Sequence, residues 1–102
     1  MLLHELAHCR AGDKGDMSTL SLFPHDDADF ELLRREVTTD RVRTHLADRV
    51  RGEVLRYELP NLCALQFVCH QALDGGVTTS LALDTHGKTL SHRLLALRLT
   101  EL

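Results

Sequence analysis

The sequence predicts an α+β layer sandwich. Short alternating apolar and polar segments bounded by glycine or proline read as strands, and capped amphipathic stretches between them read as helices. The two kinds of element mix without the regular βαβ repetition of a parallel sheet. At 102 residues the chain fits one compact domain spanning 1–102 and leaves no room for two.

In chain order, residues 2–8 alternate loosely and Met17 to Phe23 alternate clearly, so both are predicted strands. The run Arg10-Ala11-Gly12-Asp13-Lys14-Gly15-Asp16 between them is a charged glycine loop at the end of a hairpin, and Pro24 closes the second strand. Asp26, Asp27 and Asp29 place negative charge before an amphipathic helix over Phe30 to Val37. Thr39 or Asp40 caps a second helix carrying Val42, His45, Leu46 and Val50 at helical spacing. Gly52 breaks that pattern, and a third strand alternates from Glu53 to Leu59, ending at Pro60, with Leu55, Tyr57 and Leu59 on one face.

Asn61 then caps the apolar stretch Leu62 to Leu73, which stops at Asp74-Gly75-Gly76. Its length and terminal glycines favour a helix over the competing buried strand. Val77 to Asp84 reads as a strand, Thr85-His86-Gly87 as a turn, and Leu95 to Leu99 as a last alternating segment.

Composition excludes several functions. Lys and Arg number 12 against 15 Asp and Glu, a formal charge of −3, whereas nucleic-acid domains carry a basic excess. The stacking platforms for single strands are missing too, with no Trp, one Tyr and three Phe. Cys9, Cys63 and Cys69 are odd in number without CxxC spacing, so reduced thiols in the cytoplasm are expected. The first residues lack the basic and apolar regions of a signal peptide, and no apolar run approaches the length of a membrane span. No cofactor is implied. Small domains are marginally stable, so pairing with a copy of itself or another subunit is expected.

The glycine loop is the candidate ligand-binding site: Arg10 and Lys14 supply positive charge, and Gly12 and Gly15 leave backbone amides uncovered for an anion. Asp13 and Asp16 either neutralise those cations or offer oxygen ligands to a hard cation. A tight hairpin turn with solvated charges accounts for the same residues. His4-Glu5-Leu6-Ala7-His8 matches HExxH, in which two histidines hold zinc and a glutamate activates water. That chemistry needs a helix, which brings i and i+4 within about 5–6 Å, whereas a strand holds them roughly 13 Å apart. The local pattern here is extended. Cys69 and His70, adjacent in sequence, point to different faces and do not make a nucleophile and base. Ser18 and Thr19, just past the loop, either add hydroxyl contacts to whatever it holds or are solvent-facing strand positions. No complete catalytic set is identified.

The segment His4 to Leu20 with its Arg-x-Gly-Asp-Lys-Gly-Asp core, then Arg56-Tyr57-Glu58-Leu59-Pro60-Asn61-Leu62, Ala64 to Val68, and Asp74-Gly75-Gly76 through Ser80-Leu81 to Gly87-Lys88, resembles the small AtuA-like domain. That family is named after the acyclic terpene utilisation protein AtuA. The resemblance spans nearly the whole chain and implies a ferredoxin-like fold, a mostly antiparallel sheet with helices on one face. It also implies a stand-alone subunit in catabolism of branched or terpenoid acids as acyl-CoA thioesters, associating with itself or with a larger AtuA-type chain. The ligand implied is an acyl-CoA or a carboxylate, with no nucleic acid and no membrane involved. A non-catalytic interaction module and a small zinc hydrolase using His4, Glu5 and His8 are the alternatives.

Overall fold

The computed structural model describes residues 1–72 and 90–100. A 3₁₀ turn at Leu3–Glu5 leads into strand β1 (Ala7–Lys14), which pairs antiparallel with β2 (Met17–Pro24). Helices α1 (Phe30–Glu36) and α2 (Thr39–His45) follow, then strands β3 (Val54–Leu59) and β4 (Ala64–Cys69), joined by a 3₁₀ turn at Pro60–Leu62. Residues 90–95 are helical, and Arg98 bridges back to Leu2. Among the described residues the sheet has four strands in the order β1-β2-β4-β3, every neighbouring pair antiparallel. No helix in this part is long and apolar enough to cross a membrane.

Strand order defines the fold. β2 and β3 both run antiparallel to the β4 between them, so they are parallel to one another, and the helices joining them complete a split βαβ unit. Beyond β4 the helical stretch at 90–95 ends beside the chain start, where Leu3 N–H donates to Leu97 O at 2.8 Å and Leu99 N–H to Met1 O at 2.9 Å. β1 begins there. The first strand thus fills the place that the last strand of a β-α-β-β-α-β chain takes, and the layout remains ferredoxin-like.

One face of the sheet is dry. Leu20, Leu22, Leu65, Phe67, Cys69 and Val54 point from it into a core completed by Leu33 and Val37 from the α1 region, Val42 and Leu46 from the α2 region, and Leu90 and Leu94. Residues of β2 alternate half-buried and buried along its whole length, the mark of a strand covered on one side only.

Several expectations change in detail. The first strand starts and ends later than residues 2–8, so most of the predicted loop is strand and only Gly15 and Asp16 turn. Gly15 has φ of +63°, as a glycine at the first central position of a two-residue type II′ hairpin requires. The cap of α2 is Thr38, whose Oγ1 accepts from Arg41 N–H at 3.2 Å. The helix predicted over Leu62 to Leu73 is a correction. Ala64–Cys69 is the strand β4, paired on both sides. Leu65, Phe67 and Cys69 are buried at a spacing of two, with β2 and β3 taking up the backbone hydrogen bonds a helix would have kept to itself. Asn61 sits in the 3₁₀ turn of the hairpin instead of capping a helix. Leu95 closes the helical stretch, and Leu97 to Leu99 hold one bridge instead of a full strand. The strand and turn predicted for 77–87, with Asp74-Gly75-Gly76, lie outside the described residues.

Candidate functional site

The charged segment that the sequence singles out is divided by the pleat of β1. Arg10, Gly12 and Lys14 face away from the helices, opposite Ser21, Thr19 and Met17 of β2, while Asp13 faces the helix side opposite the buried Ser18. Gly15 and Asp16 form the turn, and the Asp16 carbonyl accepts from Ala72 N–H at 2.7 Å. The structure therefore brings together Arg10, Gly12 and Lys14, and sets Asp13 apart from them. Neither cation has an ion pair among the described residues. A Cβ placed on Gly12 would meet nothing within 4 Å, so the space between the two cations is open.

Ser18 departs from expectation. It is fully buried, and its hydroxyl donates to the Gly12 carbonyl at 3.3 Å, fixing the strand backbone beneath that open space. Thr19 faces the open side. Three further polar side chains share this face and were not grouped by the sequence reading: Ser21 stands opposite Arg10 on one side and Gln66 on the other, and Gln66 stands opposite Tyr57. Tyr57 is 48% exposed, so it serves no core packing. The alternation of Met17, Thr19, Ser21 and Phe23 was a visible signal for half of this row. The other half was hidden while β4 was read as a helix.

At the opposite end of β1, the His8 ring stacks on Phe23 with centroids 5.3 Å apart and on His25 at 5.8 Å. His25 Nε2 donates to the His4 carbonyl at 3.2 Å. The HExxH segment does not form a helix. Leu3–Glu5 is a single 3₁₀ turn, β1 starts at Ala7, and the Glu5 carboxylate accepts from Leu2 N–H at 2.9 Å. Among the described residues no three His, Cys, Asp or Glu side chains stand together to hold a metal ion. The histidines of this motif thus lack the shared helical face on which zinc binding depends.

Two other features bear on chemistry. A cavity of about 380 Å³ beside the hairpin turn is lined by Asp16, Gly52, Glu53, His70 and Gln71. Burial pushes the Cys9 thiol up to about 12 and the Cys69 thiol up to about 11. Both stay protonated at neutral pH, which disfavours the thiolate form that nucleophilic chemistry uses.

Fold and site together describe a ferredoxin-like α+β sandwich with one helix-covered face and a second face that no element among the described residues covers, the latter bearing the two cations. The family model of the AtuA ferredoxin-like domain matches residues 1–100, and the chain belongs to that family. No curated protein and no solved structure matches it.

Proposed function

We propose that this chain is a cytoplasmic subunit of branched or terpenoid carboxylate catabolism, acting on acyl-CoA thioesters or free carboxylates in association with itself or a larger AtuA-type chain. Its working surface is the open face of the sheet, where Arg10 and Lys14 take an anionic group of the ligand. One observation carries this reading: two cations without ion pairs among the described residues flank an open space above Gly12 on one strand. Thr19 and Ser21, directly opposite, add hydroxyl donors. A charge-assisted contact from each cation gives such an anion its hold, while the half-buried Val68 and Leu55 further along the Gly12 row accept an apolar part. The free thiols Cys9, Cys63 and Cys69 suit a reducing compartment.

Isothermal titration calorimetry with inorganic pyrophosphate and with coenzyme A tests the site. Wild type binds, and Arg10→Ala/Lys14→Ala loses at least about tenfold in affinity, equivalent to about 1.4 kcal/mol, with an unchanged melting temperature. Wild type that takes up neither probe contradicts the reading.

The second reading, a non-catalytic interaction module, is favoured by a different observation. The amides of Gly12 and Gly15 do not converge, because one glycine lies in the strand and the other in the turn. Contact through the open face needs no such convergence.

A further inference from the structure

Among the described residues, the face turned away from the helices is uncovered and has an ordered chemistry from edge to edge. Arg10, Ser21, Gln66 and Tyr57 form one row across all four strands. The adjacent row toward the hairpin turn is Gly12, Thr19, Val68 and Leu55. Lys14 begins the row beyond that, and Glu53, whose carbonyl accepts from His70 N–H at 2.9 Å, ends it. Cations therefore stand at the β1 edge, with an aromatic ring, a leucine and a carboxylate at the β3 edge. The side chains of Arg10, Ser21, Gln66 and Tyr57 make no hydrogen bond with any described residue.

We infer that this face docks on a second copy of the same chain, sheet against sheet, about a two-fold axis parallel to the strands. Rotation about that axis keeps every row opposite itself and reverses its order, so β1 of one copy lies over β3 of the other. Arg10 then meets Tyr57 of the second copy, a cation against an aromatic ring. Ser21 meets Gln66, pairing a hydroxyl with an amide. Leu55 meets the bare Gly12, where open space receives it, and Lys14 comes over the Glu53 side. Each feature of the β1 edge finds its complement at the β3 edge.

Charge selects this axis over the other one lying in the interface. Rotation about an axis perpendicular to the strands would lay β1 over β1 and set Arg10 and Lys14 among their own copies, a like-charge arrangement that costs binding energy. Association through strand edges is disfavoured as well. Among the described residues, Arg10, Asp13 and Lys14 line one edge strand and Arg56 and Glu58 the other, and charges on an edge oppose strand addition. Aligned sheets pack about 10 Å apart within roughly 30° of one another, which suits interdigitation of these side chains.

The docking does not rest on anion binding. It claims the same cations, so an anion above Gly12 and Leu55 of a second copy exclude one another.

Native mass spectrometry and sedimentation of the full chain test the docking, using a steric exchange. Wild type is expected to be a dimer at about 50 µM, a concentration that reveals any dissociation constant in the low micromolar range. A Cβ at Gly12 meets nothing in the single chain, so Gly12→Leu should keep the far-UV circular dichroism of wild type yet weaken the dimer by at least about tenfold. Adding Leu55→Ala should restore association. Wild type that is monomeric at about 50 µM, a dimer that Gly12→Leu leaves intact, or a Gly12→Leu/Leu55→Ala chain that stays monomeric overturns the inference. Pyrophosphate binding by a strictly monomeric wild type would remove the dimer and leave the anion reading standing; a dimer that binds no anion would do the reverse.

Discussion

Gly52 is held more tightly than any other described glycine. Its N–H donates to the His70 carbonyl at 2.9 Å, and a Cβ at this position would lie 2.6 Å from that same oxygen. Two backbones meet there, and neither can give way without breaking the end of the β3 and β4 ladder. Gly52→Ala is expected to destabilise the protein by about 2–4 kcal/mol, read as a lower urea midpoint; an unchanged midpoint would refute the packing. Cys63 presents the opposite case. Its φ of 49° places a side-chain-bearing residue in the left-handed region at the turn between β3 and β4. Cys63→Gly should therefore preserve or raise stability by up to about 1 kcal/mol, while Cys63→Val should lower it. Thermal melts of the two variants give the comparison. The sequence marked Gly52 as a break because it interrupts a helical pattern. It said nothing of Cys63, whose backbone is set by a turn only the paired strands create.

At the scale of elements, the junction of α1, α2 and the chain end is held by one carboxylate. Glu36, buried, accepts from Arg41 Nη1 at 2.8 Å and from the Thr100 hydroxyl and amide at 2.8 Å and 3.1 Å. The Thr100 hydroxyl above all, then Arg41 and the Thr100 amide, hold the Glu36 carboxyl at about 2, below its ordinary 4.5, against the opposing effect of burial. Because the folded value is depressed, this contribution to stability is present in full above pH 4.5 and is lost as pH falls through about 2. Glu36→Gln should cost about 1–2 kcal/mol near neutral pH. It should also flatten the acid limb of a stability profile measured by urea unfolding, and a variant with the wild-type acid limb would count against the clamp.

Elements that declare themselves by local chemistry were legible. The α1 helix follows its acidic lead, β3 ends at Pro60, and β2 shows its alternation. The stretch Ala64–Cys69 was not, because Ala64 and Val68 on the face away from the helices are apolar like the core-facing Leu65, Phe67 and Cys69, so the run shows the apolar signal a buried helix also gives. The helical stretch at 90–95 was missed for a related reason: the alternation of the leucines just beyond it suggested a strand.

The molecule as a whole follows from which strand lies beside which, and that information is almost wholly non-local. The ferredoxin-like arrangement was accessible through the Arg-x-Gly-Asp-Lys-Gly-Asp motif and its companions, not through periodicity. The place of β1 at the sheet edge, and hence the face on which Arg10, Gly12 and Lys14 stand, required the register itself. The same motif that reads in sequence as a binding loop becomes in three dimensions the rim of a flat surface. On the proposals above, an anion and a second copy compete for the cations of that surface, which would make it the working face.

Native mass spectrometry of the wild-type chain, recorded with and without inorganic pyrophosphate, addresses that claim most directly. A metal-free dimer is expected to give way to monomers carrying pyrophosphate as the anion is added, with Arg10→Ala/Lys14→Ala failing to bind it. A monomer that takes up no pyrophosphate, or an Arg10→Ala/Lys14→Ala variant whose subunit count and pyrophosphate uptake match those of wild type, would contradict that expectation.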